Sequence, residues 1–494
     1  MSLILHPRVA PSDPAHRLRV WVGAFDRTTA PALTWKLDGQ PSTPDAIRPI
    51  ASVRKGSLLD GDPPRAFSGL YEFTNLQPDM TYRVTAKADQ EEAGLTTWTL
   101  PAEVPFDLGE SFNVLLVSCF HRDEDREGQA GEVVAALKAQ WKPDLTLLMG
   151  DQVYLDLPTL QNFDDKLVWL ADKFERDYML NWRGPTGYAK VLAAAPSVSL
   201  PDDHEFWNNY PHSSPFIQNS HTDAGRDRWK RASIALYEGF QLNDPAMSGA
   251  PIRIDVPPLS FCLADTRTFR DDYPLRHSLD PKRGLDGFNE WVRHVRDDTY
   301  PNAERLDNKF FGVFVAGQSL LSPAAPGLKG SIGDRELANY DDFPQIIRGL
   351  EQLLQTGRAV LCITGDVHWG RVARGNNRDG RTVLYEVISS PSSLVTTVGA
   401  DTFKKIGGFF GGLFGKRDPW PRHADAPDAP EFLAQDVLGR AIECKTIHTQ
   451  KGNHVALLSF RKTGFGLELY ITYFPIHSEI RQPVELKQID LKPQ

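Results

Sequence analysis

Four short apolar runs in this chain of 494 residues each stop abruptly on side chains that bind metals or move protons. "FNVLLVS" gives way to Cys119 and His121, "DLTLLMG" to Asp151 and Tyr154, "SVSL" to Asp202, Asp203 and His204, and "AVLCITG" to Asp366 and His368. Mostly apolar runs fit strands buried on both faces of a sheet that helices cover. In open α/β sheets, ligands bind beyond the carboxyl ends of the strands. One such ending has an ordinary explanation, since aspartates cap helices and fill turns. Four endings together bring a thiol, carboxylates, a phenol and imidazoles to one edge and point to a site.

The intervening segments support this layout. "EGQAGEVVAALKAQW" (127–141) has helical spacing through Val133, Val134 and Leu137, and Pro143 stops it. The result is a strand–helix–strand unit, normally parallel and right-handed. "LSFCLAD", "FFGVFVAG", "VLYEVIS", "HVALLSF" and "LELYITYF" read as further strands. A helix from about 342 carries Ile346, Ile347, Leu350, Leu353 and Leu354 on one face, with Gly357 as its stop. The expected fold over 108–494 is therefore layered α/β with mixed sheets.

The first hundred residues have a different pattern. "HRLRVWVG" alternates Leu18, Val20 and Val22 with other residues, a half-buried strand of period two. "ALTWKL" and "SGLYEFTNL" follow, and "LQPDMTYRVTAKA" sets Leu76, Pro78 and Tyr82 in the order of a tyrosine corner. The reading is a small all-β sandwich of immunoglobulin or fibronectin type III character over 1–107. "LPAEVPFDLGE" is its linker to the rest.

Composition narrows the partners. The formal net charge is -9 and no block of Lys and Arg appears, so neither nucleic acid nor an anionic membrane is the default partner. Four cysteines show no disulfide framework, and three lie in apolar runs. The start "MSLILHPRVAPSDP" has no signal-peptide pattern, and no apolar run reaches the length of a membrane span. A cytoplasmic location is the expectation. "FKKIGGFFGGLFGKR" (403–417) reads as a packed loop, because its glycines oppose a helix.

Carboxylate, imidazole, phenolate and thiolate can hold two adjacent cations, with one aspartate bridging them. Such a pair lowers the pKa of a shared water and holds both oxygens of an in-line displacement. Phosphoester hydrolysis is the reaction that most needs this arrangement. In an extended segment residues i and i+2 face the same side, which suits Asp366 with His368 and Cys119 with His121.

The pattern resembles the calcineurin-like metallophosphoesterases and, more closely, their alkaline phosphatase D (PhoD-like) branch. "SCFH" stands for the superfamily's D-x-H motif, with Cys119 at the Asp position, as is typical of the branch. "GDQVY" resembles the second motif, "DDHE" the third, and "GDVH" the last. "CLADTRTFR" and "LYEVISSPSS" are similar to further segments of the branch. Some positions depart from it: "FHRDED" where a glutamine is usual, Pro201 where a tryptophan is usual, and no twin-arginine signal.

The resemblance implies a role for each residue. Asp151 bridges the metals, Asp203 binds the second, and Asp366 and His368 are ligands. Cys119 as thiolate and Tyr154 as phenolate suit a trivalent iron. His121 is a ligand, a support to one, or structural. By its own chemistry Asn208 or Asn209 offers a carbonyl oxygen, which calcium would favour. His204 sits over the phosphate, stabilising the transition state or protonating the leaving oxygen. Arg267 holds a phosphate oxygen or forms a structural ion pair. Iron with calcium is the implied metal content, with manganese or zinc as alternatives. The expected activity is hydrolysis of a small phosphomonoester or phosphodiester by a metal-bridged hydroxide. One alternative is a non-catalytic binding protein with a decayed site. Another makes the sandwich a carbohydrate-binding module using Trp21, Trp35 and Trp98.

Overall fold

The structure is a computed structural model. It describes all residues except 1, 61, 107–108, 159–162, 164, 185–186, 215–216, 271–276, 301–307, 322–336, 377–381, 396–431, 436–440, 465, 477–481 and 492–494. The expected domain boundary near 107 and the 403–417 segment lie outside the described residues.

The N-terminal region is all-β. Its strands are β1 (Leu3–Arg8), β2 (Leu18–Phe25), β3 (Thr34–Leu37), β4 (Gln40–Ser42), β5 (Asp45–Ser52), β6 (Ala66–Phe73), β7 (Thr81–Ala88) and β8 (Glu91–Trp98). One layer runs β1–β2–β6–β5 and a four-stranded sheet runs β4–β3–β7–β8. Leu18, Val20, Val22 and Phe67 from the first layer share an apolar cluster with Trp35, Val84 and Leu95 from the second. The Tyr82 hydroxyl accepts a hydrogen bond from the backbone N–H of Gln77 at 2.8 Å, a tie back to the chain just upstream.

Strand β2 corrects one expectation. It is buried along its whole length rather than on alternate residues. Leu18, Val20 and Val22 face the small sheet, while Trp21 and Phe25 turn the other way onto Phe240 of the Asp223–Phe240 helix. Burial also removes the aromatic platform of the carbohydrate-binding alternative: Trp21 and Trp35 are core residues, and the Lys142 ammonium lies 4.0 Å from the Trp98 ring centroid.

Three of the four predicted strands form the next part of the first sheet: β9 (Phe112–Val117), β10 (Leu145–Met149) and β11 (Ser197–Leu200), parallel to one another. β1 pairs in parallel with β11 through Arg8 opposite Ser197, so the all-β region and the α/β region share one eleven-stranded sheet. The helix expected over 127–141 is shorter, Gln129–Ala135: Glu127 and Gly128 before it sit at φ 58° and 77°, and Ala139–Trp141 beyond it form a separate 3-10 turn.

The second sheet comprises β12 (Ile252–Val256), β13 (Leu259–Ala264), β14 (Phe311–Ala316), β15 (Val360–Thr364), β16 (Gly370–Asn376), β17 (Thr382–Ile388), β18 (Phe432–Gln435) and β19 (Ala441–Gln450). Within it β13, β14, β15 and β17 are parallel. Beyond β9 the first sheet continues with antiparallel β20 (His454–Thr463) and β21 (Gly466–Pro475), and β22 (Val484–Glu485) and β23 (Ile489–Leu491) both pair with β21.

Two-sided burial of the apolar runs sets the layering. Val114, Leu116, Leu147 and Met149 meet Leu263, Val315, Ile363 and Val387 between the sheets. The other face of the first sheet, with Leu115 and Leu148, packs on the Leu167–Arg183 and Asp223–Phe240 helices. The other face of the second, with Cys262 and Phe314, packs on the Arg283–Asp297 and Phe343–Leu354 helices. The order is helix, sheet, sheet, helix, a layered α/β arrangement. Among the described residues no helix is long and apolar enough to cross a membrane.

Candidate metal centre

The candidate side chains occur at a common position. Cys119, Asp151, Asp202 and Asp366 are each the second residue past the end of β9, β10, β11 and β15. Cys119 (φ 51°), Asp151 (56°), Asp366 (62°) and His368 (59°) all lie in the left-handed region. That region is costly for residues other than glycine, and surrounding structure must enforce it. Close approach of the loops is part of the enforcement. A Cβ on Gly365 would stand 2.6 Å from the Met149 carbonyl oxygen, so the end of β15 lies directly on the end of β10. A Cβ on Gly150 would overlap the Asp202 side chain.

Three groups of ligand atoms result, each within 4.8 Å of one another: Cys119, Asp151 and His368; Asp151, Asp203 and His204; Asp151, Asp202, Asp203 and Asp366. Asp151 belongs to all three and is wholly buried. It accepts from the Cys119 thiol at 3.4 Å and from the His204 backbone N–H at 3.2 Å. Burial holds the Asp151 carboxyl well above the usual carboxylate range, His204 opposes this, and Asp203 and Asp202 add to it. Burial, then Asp151 and Asp366, push the Cys119 thiol up. Burial, then Asp151 and Cys119, do the same to the Tyr154 hydroxyl.

These residues fit metal ions. Buried acids that crowd one another are relieved by a cation placed among them. The Tyr154 hydroxyl and Asp202 Oδ2 are buried without a hydrogen-bond partner among the described residues. Thiolate, imidazole, phenolate and carboxylate together suit transition metals, while carboxylates with carbonyl or amide oxygen suit calcium.

His204 belongs to the second of the three ligand groups and is held from outside it by Asp156. Its Nδ1 is 2.8 Å from Asp156 Oδ1, and its ring packs on Tyr154 with centroids 4.2 Å apart. Burial alone would lower its pKa, yet Asp156, Asp203 and Asp151 hold it well above the ordinary histidine value. His121 joins none of the ligand groups and instead sets its ring against Tyr154, centroids 5.4 Å apart. Asn208 enters through its backbone, whose N–H donates to Asp156 Oδ2 at 2.8 Å. Arg267 is wholly buried, ion-paired to Asp202 and 3.7 Å from Asp366. Of its two expected roles, the ion pair is the one the geometry displays.

Several participants were not singled out from sequence. Glu205 accepts from the N–H groups of Asp151 (2.9 Å), Gln152 (2.7 Å) and Asp202 (2.8 Å), tying the ends of β10 and β11 together. Burial pushes its carboxyl up to about 7. Asp156 orients His204. Ser390 and Gln318 obey the same second-position rule after β17 and β14. The Ser390 hydroxyl donates to Cys119 Sγ at 3.1 Å, and Gln318 Nε2 donates to Asp366 Oδ2 at 3.4 Å. Applying that rule to every predicted strand, rather than to four, would have found both.

No family model matches the chain, and no curated protein matches it. Among solved structures it is similar to PhoD, with a TM-score of 0.61 at 13% identity over 99% of this chain and 90% of that one. At that identity the likeness shows the fold. GAP50, the anchor in the inner membrane complex of Plasmodium, aligns with a TM-score of 0.36 at 9% identity over 78% of this chain and 89% of that one, too little to carry an argument.

Proposed function

We propose that the protein is a metal-dependent hydrolase of small phosphoesters, monoesters or diesters. The observation that carries this is Asp151, a wholly buried carboxylate common to every ligand group, as a bridge between two cations requires. The PhoD-like fold supports it. Cys119, Asp151 and His368, joined by Tyr154, would hold one cation. Asp151, Asp203 and Asp366 would hold a second, with Asn208 supplying an oxygen where that cation is calcium. Iron with calcium is the favoured content, with manganese or zinc as alternatives.

When bound, such ions polarise the phosphoryl oxygens and make water nucleophilic near neutral pH. The chain supplies the rest. Asp156 fixes His204 through Nδ1, which leaves Nε2 to hold a proton for the leaving oxygen. Glu205 holds the Asp151 and Asp202 amides in register, so the carboxylates meet without rearrangement. Arg267 keeps Asp202 and Asp366 in place. No side chain is assigned as a nucleophile, so displacement is in line with inversion at phosphorus.

The same reading keeps 1–107 as an immunoglobulin or fibronectin type III sandwich, supported by the two-layer packing and the Tyr82 tie, and 108–494 as the catalytic part. It places the protein in the cytoplasm, where four buried free thiols suit a reducing medium. The test is turnover of p-nitrophenyl phosphate and bis-p-nitrophenyl phosphate by the metal-loaded chain. Metal-dependent release of nitrophenol from either is expected. Failure with both esters, over the four candidate metals, would leave the binding-protein alternative.

A further inference from the structure

The segment "SSPSS" (389–393) follows β17 and lies along the chain that carries Cys119. Backbone bonds tie the two together: the Ser392 N–H donates to the Ser118 carbonyl at 2.9 Å, the Ser393 N–H to the Cys119 carbonyl at 3.1 Å, and the His121 N–H to the Ser393 carbonyl at 3.0 Å. Three of its four serines also spend their hydroxyls on carbonyls of that chain. Ser389 Oγ donates to Leu116 at 3.2 Å, Ser392 Oγ to Ser118 at 2.9 Å and Ser393 Oγ to His121 at 2.9 Å. Those three hold the segment in place and need no further role.

Ser390 is the exception. Its buried hydroxyl donates to the Cys119 sulfur at 3.1 Å, and the same oxygen accepts from the His368 N–H at 3.2 Å. One oxygen thus joins the loop after β9 to the loop after β15, whose Cys119 and His368 make the first ligand group with Asp151. Among the described residues it is the closest hydrogen-bond partner of the sulfur; the next is Asp151 Oδ2 at 3.4 Å. Ser118 is the useful comparison. A hydroxyl has one hydrogen to donate, and that of Ser118 goes to the Ser389 carbonyl at 2.9 Å, while its oxygen stands 3.7 Å from the sulfur.

We propose that Ser390 is a positioning residue that sets how much charge the Cys119 sulfur gives to a cation held in the first ligand group. A hydrogen bond on a metal-bound thiolate draws electron density back from the metal, and outer partners of this kind tune the metal as well as orient its ligand. The His368 amide fixes the Ser390 oxygen, which keeps its hydrogen aimed at the sulfur. A tempered thiolate leaves the cation electron-poor, as polarising a phosphoryl oxygen requires. The inference rests on the metal centre of the proposed hydrolase.

The test uses the full chain, stripped of metal and loaded with cobalt(II) as a probe ion, and reads the near-ultraviolet thiolate-to-cobalt charge-transfer band. The band is expected in the wild type and lost in Cys119→Ser, which assigns it to this sulfur. Ser390→Ala should move it to longer wavelength at unchanged cobalt content, because a thiolate without its hydrogen bond gives up charge more readily. Ser118→Ala deletes an equal group beside the same sulfur and should leave the band in place, which separates the hydrogen bond from packing. A band that Ser390→Ala does not move, an equal shift in Ser118→Ala, loss of a cobalt equivalent in Ser390→Ala, or a band that survives Cys119→Ser would overturn the proposal while leaving the hydrolase standing. A wild type that takes up no cobalt would instead bring down the metal-dependent reading and this one with it.

Discussion

Where β1 meets β11, the Arg8 guanidinium is buried against neutral oxygens: Ser197 Oγ at 3.3 Å, Ser199 Oγ at 2.9 Å and the Phe240 carbonyl at 2.7 Å. Burial lowers its pKa to about 9, still well above neutrality. Just past the other end of β11, Asp202 and Asp203 meet Asp151 and Asp366 within 4.8 Å, with Arg267 held against them from one side. Both ends bury charge. In the first, two hydroxyls and a carbonyl accept from both terminal nitrogens of the cation. The second sets like charges against each other among largely buried side chains, with Asp366 18% exposed, which a fold tolerates where something else supplies the opposite sign. Arg8 therefore reads as structure and Asp151 as function.

Substitutions at the two ends should behave differently. The largest effect is expected from Asp151→Asn, which should lower phosphoester turnover by about 10³-fold. In metal-free protein the same change removes a buried like charge, so its melting temperature should exceed that of the metal-free wild type. A lower melting temperature would put Asp151 with Arg8, among the structural charges. His204→Ala should cost about 10²-fold in kcat with metal content unchanged, and Asp156→Asn about tenfold, as expected for a group that acts by orienting another. Equal losses in the two would contradict that division of roles.

Two buried histidines, His6 beside Arg8 and His454 at the start of β20, predict an effect of pH on stability. Burial, with Arg8 adding to it, lowers the His6 pKa from 6.5 to about 3, and burial lowers His454 to about 4. Below pH 6.5 the unfolded chain takes up protons that the folded chain refuses. The stability each contributes is therefore complete above pH 6.5 and drains away as the pH falls towards 3 or 4. Each histidine should contribute a slope of about 1.4 kcal/mol per pH unit in that window. Urea unfolding at pH 7.0, 5.5 and 4.5 should show this slope, and His6→Phe should remove its share. Arg8→Met is the mildest change, about 1 kcal/mol less stable through the orphaned oxygens, with metal content and turnover unaltered.

How much of this was legible in the sequence depended on distance along the chain. The strand ends were readable because each polar cluster directly follows its own apolar run, and the sheets bring those ends together. Pairings that cross between elements were not. Glu205 stands within the quoted "DDHE", yet its partners include the amides of Asp151 and Gln152, more than fifty residues away. Arg267 finds Asp202 only after β13 and β11 are in their sheets. For β2, period-two spacing was real on the sandwich side. The helix covering its other face is 200 residues downstream, so full burial of Trp21 left no local trace.

On the proposed reading, metal ions complete the carboxylates at the strand ends. Elemental mass spectrometry on protein purified without chelator, together with its visible spectrum, tests this most directly. Two or more equivalents per chain are predicted, with a thiolate or phenolate charge-transfer band from Cys119 or Tyr154 where iron is present. A chain that carries no metal, and takes up none when iron, calcium, manganese or zinc is added, would contradict it.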